Sequence, residues 1–380
     1  MRIKRKNRLF VALLISSSLV LTGCWDSLDI NNKSIILGVG IDQINEKINF
    51  TGEVAKLMAG QKVDGVSSTF SSVYNFYSDG ESFEEARNEY DRLTPLGDFT
   101  GAIRVIVFSK AFAEKDIEPY INRVTNLSSF RKSMMVVISD TSARQLFQKK
   151  IETDTSISYG IEDLISYLCK EGKAIHKTVQ EIRSDISFKT IGYVVPYIGY
   201  ENPSVKLLGY SIIKGSKSIG TVDYDDSNGL LYLLSEKVSL DYTIESPRNN
   251  ENTISINTRL NERKIHTKYV DGKININVDL DISSKMLYEY NIELLDKEDI
   301  KKIEDTMTKN IKDDINTIIK LSQEDYRTDF LGFGRYFKGQ NPREYKNMSW
   351  EAEYPNAKIN VNIKNSVTIA SFLDPMEEEK

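Results

Sequence analysis

The chain has 380 residues, with 50 basic and 55 acidic side chains, a formal net charge of −5, and only two cysteines and two histidines. An acidic chain without a basic block is not built to hold nucleic acid, and none is expected as a partner. Two cysteines give no disulfide framework and two histidines no multi-histidine centre, so the fold must rest on burial, with no metal or cofactor expected.

The first eight residues carry five positive charges, Arg2, Lys4, Arg5, Lys6 and Arg8, and an apolar run follows from Leu9 to Leu21. These are the charged and apolar regions of an export signal. At ~1.5 Å per residue the run spans roughly 20 Å, short of a ~30 Å hydrocarbon core. Leu21-Thr22-Gly23-Cys24 resembles the lipobox of bacterial lipoproteins, in which the cysteine thiol takes a diacylglyceryl group and the signal is cut just before it. That resemblance makes Cys24 the lipidation site and the first residue of the mature chain. Two acyl chains suffice for stable anchoring where one is marginal, so the protein is expected on the outer face of a membrane, tethered and not spanning. Removing residues 1–23 takes the net charge to about −10 and leaves enough chain for two or three domains.

Ser34 to Asp42, SIILGVGID, reads as a buried strand, and Lys47 to Leu57 as its neighbour across an Asn45-Glu46 turn. SVYNFYSD is a third strand. Ser82 and Glu85 have the spacing of a capping box for a helix that places Phe83, Ala86, Tyr90 and Leu93 on one face and stops at Pro95 and Gly97. The apolar runs IRVIVFS and MMVVIS are joined through a helix bearing Ile117, Ile121 and Val124, which predicts a parallel pair with a right-handed crossover, covered on both faces. A helix starts near Ser142, others fall around residues 160–170 and 176–184, and YVVPYIGY is a strand whose Pro196 signals an edge or a bulge.

A boundary is expected near Asn202-Pro203. Beyond it, VKLLGYSIIKG and KSIGTV read as a short hairpin and LLYLLSE as a helix end. Two long alternating strands meet at Asp271-Gly272, a two-residue hairpin signal. Their single apolar face predicts a sheet covered on one side, by a helix from Asp296 to Leu321 with Ile300, Ile303, Met307, Ile311, Ile315 and Ile318 in one stripe. A strand through Ile359, Val361, Ile363, Val367 and Ile369 closes the unit, and the acidic tail PMEEEK is expected to fray. The fold class is therefore α+β, in two or three domains, each a mixed or antiparallel β-sheet flanked by helices. Residues 1–23 are the signal, 24–202 an N-terminal unit open to a further split in two, and 203–375 a C-terminal unit.

Catalytic signatures are absent: there is no CxxC, HExxH, GxSxG or GxxxxGK[ST]. Gly38-Val39-Gly40 follows a strand but leads into another strand, whereas a phosphate loop needs the N–H groups of a helix start. Asp223 to Gly229 has some look of a calcium loop, but Asn228 stands where the tight turn wants glycine and Leu234 where a bidentate glutamate is needed, which favours a solvated turn leading into a helix. Cys169 lies in an apparent helix as a small buried hydrophobe. His176 and His266 fall in different units, as surface or packing residues.

Several ordered motifs resemble the GerAC (Ger(x)C) family, the lipoprotein C-subunits of spore germinant receptors. They are Cys24-Trp25-Asp26 with Asn31-Asn32 and the strand ending Gly38-Val39-Gly40-Ile41-Asp42, and the block from Ala102 to Ser139 with Arg131 before its second strand. In the second half they are Leu207 to Leu234 with Gly209 and Gly220, and then Asp329-Phe330-Leu331-Gly332-Phe333-Gly334-Arg335 with Pro342 and Trp350. The resemblance implies mixed sheets flanked by helices and a non-enzymatic subunit on the outer face of the spore inner membrane. It further implies work with an integral-membrane transporter-like subunit and a larger membrane-associated subunit to sense small nutrients and trigger germination. Only Cys24 carries over as a functional atom; no catalytic, metal or cofactor residue does. The alternative is a solute-binding lipoprotein of a membrane transporter, which predicts two similar lobes around an aromatic-lined cleft.

Overall fold

A computed structural model describes residues 33–56, 72–291 and 295–369. The signal, Cys24 and the acidic tail lie outside the described residues. What is described is built on two sheets, one of ten strands and one of four.

Lys33–Ile44 (β1) and Lys47–Ala55 (β2) form an antiparallel hairpin. Its turn residues Asn45 and Glu46 both take positive φ, 50° and 67°, the twist that a two-residue hairpin needs. Val73–Gly80 (β3) pairs with β2, and the helix Phe83–Asp91 (α1) follows. Ser82 accepts from the Glu85 N–H, but the Glu85 carboxylate reaches back to the Glu81 N–H, so only half of the expected capping box forms. Then come Gly97–Phe99 (β4), Val105–Ser109 (β5), Lys110–Ala113 (α2), Glu118–Asn126 (α3) and Met135–Ser139 (β6). β5 and β6 are parallel, and every residue of both is buried.

Ala143–Phe147 (α4), Ile157–Lys170 (α5), Lys177–Thr178 (β7) and Val179–Phe188 (α6) lead to Gly192–Glu201 (β8). Ser204–Lys214 (β9) and Lys217–Asp223 (β10) form the expected hairpin, but it completes the large sheet, whose order is β10-β9-β8-β6-β5-β1-β2-β3. Strand pairing therefore runs across Asn202-Pro203, since Glu201 pairs with Ser204 in the β8–β9 turn. Pro196 sits inside this sheet, not at its edge. β6 pairs with β8 only at Tyr197 and Ile198, so the missing N–H of Pro196 leaves no gap in the ladder, and the register shifts one residue later, between Tyr197 and Ile198.

Both faces of the large sheet are covered. Tyr90, Tyr120, Ile121, Val124 and Ile182 pack on one face, and Phe147, Ile157, Ile161 and Ile165 on the other.

The second sheet follows Asn228–Leu234 (α7) and has the order β11 (Ser239–Glu245), β12 (Thr253–Val270), β13 (Lys273–Glu289), β14 (Lys358–Ile369). Asp271 and Gly272 turn β12 into β13 with φ of 51° and 74°. Ile274, Ile276, Val278, Leu280 and Ile282 face the helix Lys297–Lys320 (α8), whose Ile303, Met307, Ile311, Ile315 and Ile318 are buried. The intervening side chains of β13 form the opposite, polar face, where Asn360 donates to Asn277 and Asn362 to Asp279. Phe333–Gln340 (α9), Pro342–Lys346 (α10) and Trp350–Glu353 (α11) complete the chain before β14. The small sheet's core is continuous with Val194, Tyr210, Ile212 and Val222 of the large sheet, so the two sheets share one apolar junction.

Candidate functional site: the junction and the motif residues

Below Tyr197, β8 diverges from β6, and the short β7 takes the edge of β6 at Met135 and Val136. A cavity of about 560 Å³ lies where they part, walled by β7, β8, the end of α7 and the start of α9. Three of its charged groups form one ion-pair cluster. Asp185 accepts from Lys177 Nζ at 2.8 Å and from Arg335 Nη2 at 2.5 Å, and Arg335 stacks over the Phe188 ring. Glu181 accepts from the Thr178 N–H and hydroxyl at the start of α6. Arg263 donates to the carbonyls of Tyr232 and Ser235, closing the carboxyl end of α7 where the helix dipole favours a cation.

Cys169 and His176 meet here, Sγ to Nδ1 at 3.5 Å. Burial pushes the thiol up to about 11, the reverse of the depressed value that makes a cysteine nucleophilic. His266 is exposed on β12, opposite Asn277 of β13. Asp223 to Gly229 forms a 3-10 turn and enters α7, with Gly229 against the α8 backbone at Asp314. Among the described residues no group of three His, Cys, Asp or Glu side chains is placed to hold a metal.

The sequence motifs turn out to be brackets between elements. Asp329 is fully buried and accepts from the N–H groups of Phe333 and Gly334, at 3.0 and 2.6 Å, and from Trp350 Nε1 at 3.0 Å. It thus holds the start of α9 and pins Trp350 to it. Burial outweighs those donors and raises its carboxyl to about 6. The Asp329 carbonyl accepts from the Gly192 N–H of β8, and Arg335 reaches Asp185 on α6, so the motif ties the second half of the chain to the large sheet. Gly332 has a φ of 73°, and a Cβ on Gly334 would stand 2.8 Å from Trp350 Nε1. Gly220 gives room to the Tyr326 ring in the same way.

The opening motif works similarly. Gly38 and Gly40 let helices approach β1: a Cβ on Gly38 would strike Ser158, and one on Gly40 would stand 2.5 Å from the Ala143 Cβ. Asp42 accepts from the N–H groups of Ala143 and Arg144 at the start of α4. Glu53 does the same for α5 through the N–H groups of Ile157 and Ser158 and the Ser158 hydroxyl, with burial raising its pKa. Arg131 donates to the Ile103 carbonyl at the entry to β5. Glu53 is the residue that sequence reasoning missed. Its partners lie over a hundred positions away, and no local spacing marks it.

Comparison with known proteins agrees with this architecture. The fold resembles the crystal structure of the GerBC protein, with a TM-score of 0.53 at 15% identity over 87% of this chain and 96% of that one. Residues 26–200 match the family model of the spore germination protein N-terminal domain, and residues 208–369 that of the spore germination B3/GerAC-like C-terminal domain. The chain belongs to the GerAC (Ger(x)C) family of spore germination proteins. Relatives include spore germination protein KC of Bacillus subtilis, 20% identical over 94% of this chain and 95% of that protein. Another is spore germination protein YndF of the same organism, 21% identical over 98% of each. Both family modules supply strands to the large sheet, β8 ending the first and β9 lying largely in the second.

Proposed function

We propose that the protein is the lipid-anchored C-subunit of a spore germinant receptor, required for nutrient-triggered germination. Residues 1–23 serve as the export signal, and Cys24 carries the diacylglyceryl group. The body that follows, with 24–202 and 203–375 as its two units, stands on the outer face of the spore inner membrane. Its partners are an integral-membrane transporter-like subunit and a larger membrane-associated subunit. The tether raises the local concentration of a rigid body beside them, so weak docking surfaces suffice.

The observation that carries the reading is the ordered match of both family modules, the first of which begins at Asp26, two residues after Cys24. Two features favour a scaffolding role over a reaction: the motif residues hold elements together, and Asp185, Lys177 and Arg335 of the cavity are tied up in ion pairs with one another. No described helix is long and apolar enough to cross a membrane, which suits attachment through lipid. The solute-binding alternative calls for two similar lobes, and a ten-stranded mixed sheet beside a four-stranded one is not such a pair.

Cys24→Ala in the native host is the test. The variant is expected to leave the membrane fraction and to abolish the germination response that depends on this receptor. Membrane recovery and nutrient response equal to wild type would refute the proposal.

A further inference from the structure

The amino ends of β1, β4, β5 and β6 lie at one end of the large sheet, because these strands are parallel. β3 runs the same way, being antiparallel to β2, which is antiparallel to β1. α1 follows β3 and α3 lies between β5 and β6, so both helices run back toward that end and deliver their carboxyl termini to it. Local contacts fix the placement. Ser34 Oγ and Thr94 Oγ1 are 3.2 Å apart, Lys33 is in register with Gly97, and Thr100 Oγ1 donates to the Ser129 carbonyl at 2.9 Å.

Three leucines are left in solvent there. Leu93 is 62% exposed, Leu96 37% and Leu127 38%, and among the described residues only one other leucine, Leu287, is as open. Leu93 has the spacing of the buried stripe of α1, yet it lies beyond the helix and packs on nothing apolar that would hide it. Around these leucines stand Lys33, Arg92, Arg131 and Lys132. Of the acids at this end, Glu89 is held by Arg92, Asp91 and Asp98 by Arg87, and Glu162 by Arg104, while Glu181, beside Gln180 whose N–H donates to the Lys132 carbonyl, accepts from Thr178. Lys33, Arg131 and Lys132 form no ion pair among the described residues; Lys132 bonds the carbonyls of Val124 and Leu127 instead. The surface is therefore apolar at its tips, with unmatched positive charge beside them, on a chain that is acidic as a whole.

The chain enters the fold at this same end. Lys33 lies nine positions beyond Cys24, with eight residues between them, which at 3.3–3.6 Å per residue is at most roughly 30 Å of extended chain. We infer that the end of the large sheet bearing Leu93, Leu96 and Leu127 is a membrane-seating surface, laid against a bilayer rich in anionic lipid with the strands β1, β5 and β6 pointing their amino ends at it. Exposed leucines enter the headgroup boundary and the nearby cations meet lipid phosphates, as interfacial anchors do. This rests on the lipid-anchor reading and adds to it an orientation: α2 and the turns that follow the carboxyl ends of β1 and β5 face away from the membrane.

The experiment uses the exported full-length chain carrying Cys169→Ser, with Leu93→Cys, Leu96→Cys or Leu127→Cys introduced one at a time. Tyr167→Cys and Ile219→Cys, at other exposed sites, serve as controls. Each protein is labelled with an environment-sensitive fluorophore and placed on phosphatidylglycerol–phosphatidylcholine vesicles containing a lipid-borne quencher. Mass spectrometry of the same sample reads the state of Cys24. The expected result is severalfold stronger quenching, with a blue shift, at positions 93, 96 and 127 than at 167 and 219. Equal quenching at all five, or none at the three leucine sites of a diacylated protein, overturns the inference. A sample with an unmodified Cys24 overturns the anchor reading. The surface is then judged alone, with Cys24→Ser chains added to the same vesicles: leucine-site quenching keeps it and none removes it.

Discussion

The two sheets solve the same problem differently. At the centre of the large sheet, in β5 and β6, neighbouring residues of a strand are all buried: Val105, Ile106, Val107 and Phe108 each have no exposed surface. In the small sheet burial alternates, Ile276 and Val278 inside, Asn277 and Asp279 on the open face. A sheet covered twice needs helices brought close on both sides, and here that closeness is obtained with glycines on β1 and with the buried carboxylates of Asp42 and Glu53 holding helix starts. A sheet covered once needs a single long helix with one stripe, and leaves its other face to amide and charged ladders. The first design is specified by long-range polar contacts, the second mostly by local periodicity.

Alanine substitutions at adjacent positions break the comparison open. Ile106→Ala and Ile276→Ala should each cost about 4 kcal/mol, since both side chains are fully buried and leave a cavity. The neighbours should differ. Val107→Ala is expected to cost about 2 kcal/mol or more, whereas Asn277→Ala should stay below about 1 kcal/mol, as for a surface position. Urea unfolding of the four variants measures this. Equal losses at 107 and 277 would mean that the small sheet's open face is covered in solution.

That contrast also sets how much was legible beforehand. Both hairpin turns, Asn45-Glu46 and Asp271-Gly272, were readable because two-residue turns need particular residues, and both carry positive φ. The unbroken apolar runs of β5 and β6 gave away their parallel pairing, and the stripe of α8 gave away the one-sided cover. What periodicity cannot say is which sheet a hairpin joins. β10 and the first half of β9 alternate as half-buried strands do, and the pairing of β9 with β8 is a tertiary choice. Nor could spacing reveal Glu53, or show that the Asp329 motif is a clamp on Trp350 and β8, because each partner lies far along the chain. At the amino end, the lipobox pattern marks Cys24, but the leucine-tipped end of the sheet emerges only once the topology gathers three loops together.

The junction joins the two designs and gives the next largest effect, through pH. The Asp329 carboxyl titrates near 6 in the fold against an ordinary value of 3.8. A raised acid binds its proton more tightly when folded, so its contribution to stability is fully present below about pH 4 and is lost as the pH rises through about 6. At 1.36 kcal/mol per unit the loss is about 3 kcal/mol. Asp329→Asn cannot titrate. It should be less stable than wild type at pH 4.5, since it loses an acceptor for three donors, and the gap should narrow by pH 7.5. Urea midpoints at the two pH values read the gap, and a gap that stays constant or widens would show that the carboxyl is ionised throughout.

The smallest expected effect on stability is on the polar face beside the edge strand β14. Asn360, Asn362 and Lys364 each reach across to β13, at Asn277, Asp279 and Asp281. Lys364 is 82% exposed, and ion pairs so open to solvent contribute little. These side chains have another consequence, because β14 is the last strand of its sheet and an edge strand is a template for a further strand. Amides and a lysine along it make strand addition by a second copy unfavourable by leaving charge and hydrated groups in the way. Asn362→Val together with Lys364→Val should therefore leave the urea midpoint where it was, valine being at home in a strand, while sedimentation shows self-association that the wild type lacks. In the large sheet the same pair of changes has no counterpart, since β5 and β6 present no outward side chain to exchange. A monomeric double variant would mean that the edge of β14 is protected by its geometry and not by these residues.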